Sequence, residues 1–166
     1  MKRKLLVLWG FIVLSCATGC MNALERNKDV VRISHEEVWS KGNLALVDEL
    51  YANDFVCHFL VGPEWQGRQG LIEQVTSHRT SFPDWHEKVV RLVAEGDFVV
   101  SYFSSSGTNT GEFGGNDPTG KRAQIHEIAI YRMEDGKIAE QWGFPDIQGL
   151  SHQLGIAAPP TNTPTE

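Results

Sequence analysis

Residues 122–144 read RAQIHEIAIYRMEDGKIAEQWGF, and this stretch carries the clearest structural pattern in the chain. Its first part, Arg122 to Met133, holds three isoleucines and Tyr131 among polar residues, which is typical of a strand. Glu134-Asp135-Gly136 predicts a tight turn, because Asp-Gly suits the positive φ angles of short hairpin loops. Ile138 to Phe144 is the expected partner, so the stretch predicts two antiparallel strands.

The segments upstream of this hairpin predict helices first and then more strands. Apolar residues at three- and four-residue spacings indicate helices, and short β-branched runs between turn signals indicate strands. We expect helices over Lys28 to Gly42, Leu44 to Tyr51 and Arg68 to Ser81, and strands over Phe55 to Leu60, Trp85 to Ala94 and Phe98 to Ser106. Asn53-Asp54 is expected to be a turn, and a short helix, Ile147 to Leu154, follows the hairpin.

Helices followed by a run of antiparallel strands indicate the α+β class rather than alternating β/α units. A curved sheet with helices packed across one face leaves a pocket between the two layers. We expect this domain to span residues 28–156. Met21 to Asn27 is expected to be a short tether, and Ala157 to Glu166 a disordered tail, since it has three prolines and no apolar periodicity.

Composition excludes a nucleic-acid partner. The net charge is −6 at pH 7, whereas phosphate binding needs a basic surface. Three cysteines, Cys16, Cys20 and Cys57, show no zinc-like spacing, and the histidines and Asp146 form no local ligand motif, so we expect no metal site. Cys57 alone falls inside the expected domain, where we expect it to be a buried residue of a strand.

Residues 1–20 predict an export signal. A positive start, Lys2 to Lys4, precedes the apolar run Leu5 to Leu14, which is too short to cross a bilayer and long enough for a signal-peptide core. The segments before Cys16 and Cys20 resemble the lipobox of bacterial lipoproteins. Cys16 fits the apolar spacing better, and Cys20 has the preferred Gly before it. The resemblance implies a membrane-anchored lipoprotein of the cell envelope, lipidated at Cys16 or alternatively at Cys20; an ordinary secretory signal is the other interpretation.

Several short motifs, in the same order, resemble those of the SnoaL-like polyketide cyclase family. The matching pieces are FPD at 82–84, EGD at 95–97, GTNTGEFG at 107–114, PTGK at 118–121, DGKIAEQW at 135–142, Asp146, Gly149-Leu150 and QLG at 153–155. Each piece alone is weak, but their order over about residues 28–156 makes the resemblance specific.

This resemblance implies a cone-shaped fold of the nuclear-transport-factor-2-like kind, in which a curved antiparallel sheet and N-terminal helices enclose one pocket. It also implies a homodimer or a higher oligomer. The family's cyclases close a polyketide ring by intramolecular aldol condensation without metal or cofactor, and a carboxylate at the position of Asp146 acts as general acid/base. One departure is Asn109, where many members have His, because Asn cannot act as a base near neutral pH.

Asp146 and His126 are the candidate catalytic residues. A carboxylate in a dry pocket has a raised pKa, which makes it a better base at neutral pH. Asp146 shares its strand parity with Glu140 and Trp142. The alternative for Asp146 is an N-cap of the final helix. His126 lies among isoleucines, either as a pocket base or as a buried histidine satisfied by a neighbour.

The remaining candidates are substrate-binding residues. We assign Trp142, His58, Tyr102 and Asn109 to this group, with Phe103, Trp65 and Phe59 as further aromatic pocket walls; plain core packing is the alternative for the aromatic residues. The glycine-rich loop after Thr110 lacks the spacing of a phosphate-binding loop.

Two functions remain open from the sequence. The first is cofactor-free acid/base catalysis of the cyclase, isomerase or hydratase type on a small apolar carbonyl compound. The second is a non-catalytic binding lipoprotein for small molecules at the cell surface, which the export signal favours because polyketide tailoring normally takes place in the cytoplasm.

Overall fold

The computed structural model describes residues 23–59 and 64–157. Helix α1 covers residues 23–41 and contains a π-helical segment, Ser34–Trp39. The expected tether is therefore wrong from residue 23 onward, where the helix already runs. Ala23, Leu24 and Glu25 are strong helix formers, and Glu25 pairs with Lys28 one turn later at 2.6 Å.

The second expected helix is shorter than its pattern suggested, and the next strand is longer. A 3-10 turn, Leu44–Leu46, leads into α2, Val47–Leu50. Strand β1 then starts at Tyr51 and runs to Phe59. Asn53-Asp54 is not a turn, because the pairing of β1 with its neighbour shifts register between Tyr51 and Val56 and accommodates these two exposed residues within the strand.

The remaining elements follow the predicted order. They are β2, Trp65–Gln66; α3, Gly67–Ser81; β3, His86–Glu95; β4, Phe98–Thr108; β5, Arg122–Glu134; β6, Lys137–Pro145; and α4, Ile147–Leu154. Among the described residues, the strands form one six-stranded sheet in the order β2-β1-β6-β5-β4-β3, with β1 parallel to β6 and the other pairs antiparallel. This confirms the α+β class and the curved sheet, which is not closed into a barrel.

The hairpin that decides the fold is confirmed. Asp135 and Gly136 have φ angles of 50° and 75°, so both central residues of the turn are left-handed, which matches the twist of the flanking strands. The pairing sets Glu127 opposite Pro145 and Tyr131 opposite Gln141. These inner-face positions become important for the site.

In the part of the chain that the structure describes, the core has two apolar clusters on the inner face of the sheet. One joins α1 and α3 to the sheet through residues such as Val38, Leu71 and Tyr131. The other joins α4 to the start of β5 through Leu150 and Ile125. The space that remains between the helices and the sheet is bordered by members of both clusters.

The expected export signal, with Cys16 and Cys20, lies outside the described residues, as does the expected tail apart from Ala157. Within the described ranges, no helix has the length and apolar character to cross a bilayer. Cys57 is a buried free cysteine in β1, as expected.

Candidate functional site

A cavity of about 510 Å³ lies between helices α1 and α3 and the inner face of the sheet. Its volume is that of a site for a small organic molecule. Its walls are mainly aromatic and aliphatic: Trp39, Phe59, Trp65, Trp85, Phe103, Phe113, Ile125, Ile147 and Leu150. Phe59, Trp65 and Phe103 are thus confirmed as pocket walls. No Lys or Arg is among the described lining residues.

Polar atoms without partners are concentrated on the inner face of β4, β5 and β6. The Ser101 hydroxyl and Oε1 of Gln141 are buried and have no hydrogen-bond partner among the described residues, and the Ser105 hydroxyl and Oε1 of Glu127 are buried with at most one another as partner. Buried polar groups are nearly always paired in folded proteins, and exceptions cluster at functional sites. Of these four, Glu127 and Gln141 line the cavity itself.

The position of Glu127 in the cavity wall strongly perturbs its pKa. Burial raises the pKa of Glu127 to about 8, the negative charge of Glu87 adds to this rise, and the Ser105 hydroxyl opposes it. The carboxyl group is therefore mostly protonated at neutral pH. A carboxylic acid in such a setting donates a hydrogen bond or a proton to a ligand.

A chain of hydrogen bonds crosses the cavity wall from β3 through α1 to β5. Trp85 Nε1 donates to Glu87 Oε1 at 3.1 Å. The other carboxylate oxygen, Oε2, lies 2.6 Å from His35 Nδ1. His35 Nε2 lies 3.0 Å from the hydroxyl of Tyr131. All four residues line the cavity, so this series of hydrogen bonds is the second polar feature of the site.

Helix α1 brings His35 to this chain through its π-helical segment, Ser34–Trp39. Such segments are rare and occur often at functional sites, because the wider turn reorients side chains. The imidazole packs on Phe103 with ring centroids 4.2 Å apart and meets the Tyr131 ring edge-on. Its orientation is therefore held by packing as well as by hydrogen bonds.

A second histidine lines the cavity from α3. Burial lowers the pKa of His78 to about 4, so the ring is neutral at physiological pH. Its Nε2 is buried and has no hydrogen-bond partner among the described residues. Four aromatic rings surround it, and the ring of Trp85 is nearest, with centroids 4.5 Å apart.

The structure places the expected catalytic His126 outside the cavity. His126 is exposed on the outer face of β5, where its Nδ1 lies 3.1 Å from the hydroxyl of Tyr102 and the two rings stack. The strand parity was correct, but the opposite face, with Glu127 and Tyr131, is the one that helices cover. His126 and Tyr102 therefore do not line the pocket.

His58 and Trp142 share this outer face. Their rings stack with centroids 5.3 Å apart, and His58 Nε2 lies 2.9 Å from Glu140 Oε1. Desolvation lowers the pKa of His58, but hydrogen bonds and negative charge from Glu140 and Glu64 outweigh it. The net effect is a raised pKa. The expectation that His58 and Trp142 contact a ligand in the pocket is corrected, because β1 and β6 turn these side chains away from it.

Asp146 occupies its alternative position as an N-cap. Its Oδ1 accepts a hydrogen bond from the Gly149 backbone N–H at 2.8 Å, and the residue is exposed at the start of α4. Pro145 and Ile147 on either side line the cavity, but Asp146 does not. Its role as a base stays a prediction that this geometry does not favour.

Asn109 is held by hydrogen bonds within its own loop. Its side chain is buried and donates to the Gly111 carbonyl at 2.7 Å, while its oxygen accepts from the Thr119 backbone N–H at 2.8 Å. These bonds close the glycine-rich loop on itself. Asn109 is not among the residues that line the cavity.

The sequence interpretation missed Glu127, Glu87, His35 and Tyr131 as site residues. A signal was present for Glu127, since it shares a strand face with Ile125 and Ala129, and an acid on an apolar face is expensive to bury unless it has a use. No comparable signal marked His35 or Glu87, because their contact joins elements 52 positions apart. Within the described residues, no group of three or more potential ligands has a geometry that suits a metal ion.

Comparisons with known proteins give one consistent relationship. The sequence model of SnoaL-like polyketide cyclases matches residues 29–154. The chain is 35% identical over 66 residues to nogalonic acid methyl ester cyclase from Streptomyces nogalater, and 29% identical over 94 residues to aklanonic acid methyl ester cyclase from Streptomyces peucetius. The matches cover 40% and 56% of this chain and 49% and 65% of those relatives.

Solved structures show the same relationship at the level of the fold. A SnoaL-like protein from Jannaschia sp. CCS1 has a TM-score of 0.74 at 23% identity, covering 82% of this chain and 94% of that one. Wild-type IdmH from Streptomyces antibioticus has a TM-score of 0.69 at 28% identity, covering 78% and 99%. The first of these likenesses concerns the fold alone.

Proposed function

The chain belongs to the SnoaL-like polyketide cyclase family, and we propose that it performs acid/base catalysis of the cyclase or isomerase type, without a cofactor, on a small apolar carbonyl compound. The observation that carries this proposal is Glu127, a buried acid with a raised pKa in a cavity of aromatic walls. Perturbed acids in apolar clefts are typical of sites for proton transfer.

Ring closure by an aldol reaction defines what the site must do. A base removes a proton from the carbon next to one carbonyl group, and the resulting enolate carbon forms a bond to the carbon of a second carbonyl group. The oxygen of that second group becomes an alkoxide and takes up a proton. Glu127, protonated at neutral pH, is the group that we assign to give this proton.

The cavity also limits the substrate class. Two acidic side chains, Glu87 and Glu127, line it without a lysine or arginine among the described lining residues. An anionic ligand therefore meets the negative charge of Glu87, a protonated Glu127, and no lysine or arginine among the described lining residues. An uncharged, largely apolar molecule that fits about 510 Å³ suits these walls.

The test is turnover of aklanonic acid methyl ester and nogalonic acid methyl ester by the purified protein. We expect Glu127→Gln to lower kcat/KM by at least about 100-fold, the usual contribution of a positioned acid or base. Glu134→Gln, at the exposed end of the same strand, is the matched control, and Asp146→Asn tests the carboxylate that the resemblance favours. Full activity of Glu127→Gln together with loss in Asp146→Asn would assign catalysis to Asp146 instead.

A second candidate function is binding without catalysis. The specific observation in its favour is that Asp146, the residue at the family's catalytic position, caps a helix and is exposed. Tight binding of the two esters without conversion, unchanged by Glu127→Gln, would support this alternative.

We propose a second copy of the chain as the partner of the outer sheet face. Large apolar side chains are exposed there on neighbouring strands, among them Val93, Val100, Ile128 and Phe144. Exposed apolar side chains that neighbour one another on a sheet are typical of interaction surfaces. Arg91 and Glu95 place both signs of charge along β3, so the face is able to pair with itself. Light scattering should give a dimer or higher oligomer, and Val100→Lys should shift it to the monomer; an unchanged mass would refute the assignment.

We also retain the export proposal, with a lipid anchor on Cys16 or alternatively on Cys20. Its support is the signal-like sequence of residues 1–20. Mass spectrometry of the protein from a membrane fraction should find a diacylglycerol-modified N-terminal cysteine. An unmodified protein in the soluble fraction would end this proposal.

A further inference from the structure

We propose that Tyr131 is the catalytic residue that takes the substrate proton, and that His35 and Glu87 are the positioning residues through which it does so. This inference rests on the proposed function and extends it, because Glu127 alone supplies only the proton donor. In this step the substrate's C–H proton passes to the Tyr131 oxygen while the hydroxyl proton of Tyr131 passes to Nε2 of His35. The products are an enolate and an imidazolium ion beside the Glu87 carboxylate.

The direction of transfer follows from the hydrogen-bond partners. A carboxylate only accepts hydrogen bonds, so the nitrogen facing Glu87 at 2.6 Å, Nδ1 of His35, carries the hydrogen. In the neutral imidazole the other nitrogen, Nε2, then has a free lone pair. The Tyr131 hydroxyl at 3.0 Å donates to it. The resting arrangement is therefore ready to move a proton from Tyr131 to His35.

The properties of Tyr131 suit a residue that relays a proton rather than one that acts as an ionised base. Burial, together with neighbouring acidic groups, raises the pKa of Tyr131 well above its ordinary value of 10, so the hydroxyl stays protonated at rest. It loses its proton only as it gains another, with His35 as the acceptor. This is the logic of a hydroxyl, an imidazole and a carboxylate in hydrogen-bonded series, where the carboxylate orients the ring and stabilises its charged form.

Glu127 and the Tyr131 group, which consists of Tyr131 with His35 and Glu87, are placed to act on different atoms of one substrate molecule. Both side chains line the same cavity from the inner face of β5, four residues apart, which separates their Cα atoms by about 13 Å. The Tyr131 group removes the proton next to one carbonyl, and Glu127 protonates the oxygen of the other. After the product leaves, the imidazolium ion gives its proton to solvent and Glu127 takes one up from solvent, so that the overall reaction is an isomerisation.

The test is hydrogen–deuterium exchange at the carbons next to the carbonyl of 2-tetralone, an apolar aromatic ketone, followed by proton NMR in D₂O. The probe reports proton removal without ring closure. We expect exchange above the uncatalysed rate with the wild-type protein, and a loss of at least about 100-fold in Tyr131→Phe. Tyr102→Phe is the matched control, because Tyr102 forms an equivalent hydroxyl–imidazole pair with His126 on the outer face.

The positioning roles need a readout that packing alone does not change. Glu87→Gln keeps an oxygen that accepts from His35 but removes the charge, so it should slow exchange by at least about tenfold while 2-tetralone binding stays within about twofold of wild type. Glu87→Asp keeps the charge and should recover part of the rate. Near-UV circular dichroism checks folding, and the Glu87 variants decide the matter if Tyr131→Phe does not fold.

Each result has a defined meaning. Exchange in Tyr131→Phe or Glu87→Gln at the wild-type rate, or no catalysed exchange by the wild type, would overturn the inference. If Tyr131→Phe exchanges normally while Glu127→Gln loses ester turnover, the proposed function stands and this inference alone fails. If the esters are not converted but exchange depends on Tyr131, the proton-transfer site stands and the proposed reaction fails.

Discussion

Nδ1 of His35 lies 2.6 Å from Oε2 of Glu87, and this contact joins the π-helical part of α1 to strand β3 across the wall of the cavity. Both side chains are almost completely buried. Taking such groups out of water costs free energy, which only a partner of good geometry offsets. The pair therefore fixes the position of α1 over the sheet as well as the shape of the site.

Removing one member of this pair should destabilise the protein more than removing both. His35→Phe leaves Glu87 buried without its nitrogen partner, and we expect a loss of about 1.5 to 3 kcal/mol in the free energy of unfolding, the usual range for a hydrogen bond to a charged group. The double variant His35→Phe, Glu87→Leu should recover much of it. Urea unfolding followed by fluorescence measures both; equal stability of the two variants would contradict the cost assigned to an unpaired Glu87.

Glu127 should make the protein less stable as pH rises. Its folded pKa of about 8 exceeds the ordinary 4.5, so the unfolded chain releases this proton first. Stability from this group is complete below about pH 4.5 and is lost progressively up to about pH 8. Glu127→Gln should remove that slope and be more stable than wild type at pH 8, by a few kcal/mol in order of magnitude.

Urea unfolding at pH 5 and pH 8 gives the required comparison. Glu134→Gln is the control, because Glu134 is exposed at the end of the same strand. Parallel pH dependences for wild type and Glu127→Gln would contradict a raised pKa at this position.

His78 should make the protein less stable as pH falls. Its folded pKa of about 4 lies below the ordinary 6.5, so the unfolded chain binds a proton that the folded protein excludes. Stability from this group is present above about pH 6.5 and is lost as pH falls toward 4. His78→Phe should reduce acid destabilisation. Titration of the His78 ring by NMR checks the cause directly, and a midpoint near 6.5 would disprove it.

Asp146 should behave as a helix cap in stability measurements. Asp146→Ala removes the acceptor for the Gly149 N–H and should cost about 1 kcal/mol, whereas Asp146→Asn keeps a side-chain oxygen and should cost much less. Thermal unfolding distinguishes the two. A large loss of stability in Asp146→Asn would indicate that its charge has a further partner in solution.

The hairpin at residues 134–136 and the order of the helices and strands were predictable because local chemistry determines them. Asp135-Gly136 requires a turn with positive φ, and the spacing of apolar residues distinguishes helix from strand. The Asn53-Asp54 segment was misjudged because its turn chemistry is overridden by pairing of β1 with β6, a contact distant in sequence.

The site was less predictable because each face of β5 carries enough apolar residues to be the face that packs against the helices. Alternation assigns His126 and Glu127 to opposite faces but does not say which face the helices cover. The outer face carries Ile128, Tyr102 and Trp142, so it resembles a pocket wall in sequence. Only the packing of α1 and α3, which brings His35 to Glu87, identifies the inner face.

The most direct test of a water-poor chamber with a titratable acid is the pKa of Glu127 itself. Carbon-13 NMR of side-chain carboxyl groups, with Glu127→Gln to assign the resonance, follows this one group through pH. We predict a midpoint of about 8. A midpoint near the ordinary value of 4.5 would show that the carboxyl group is solvated, and would contradict its assignment as the protonated acid of the site.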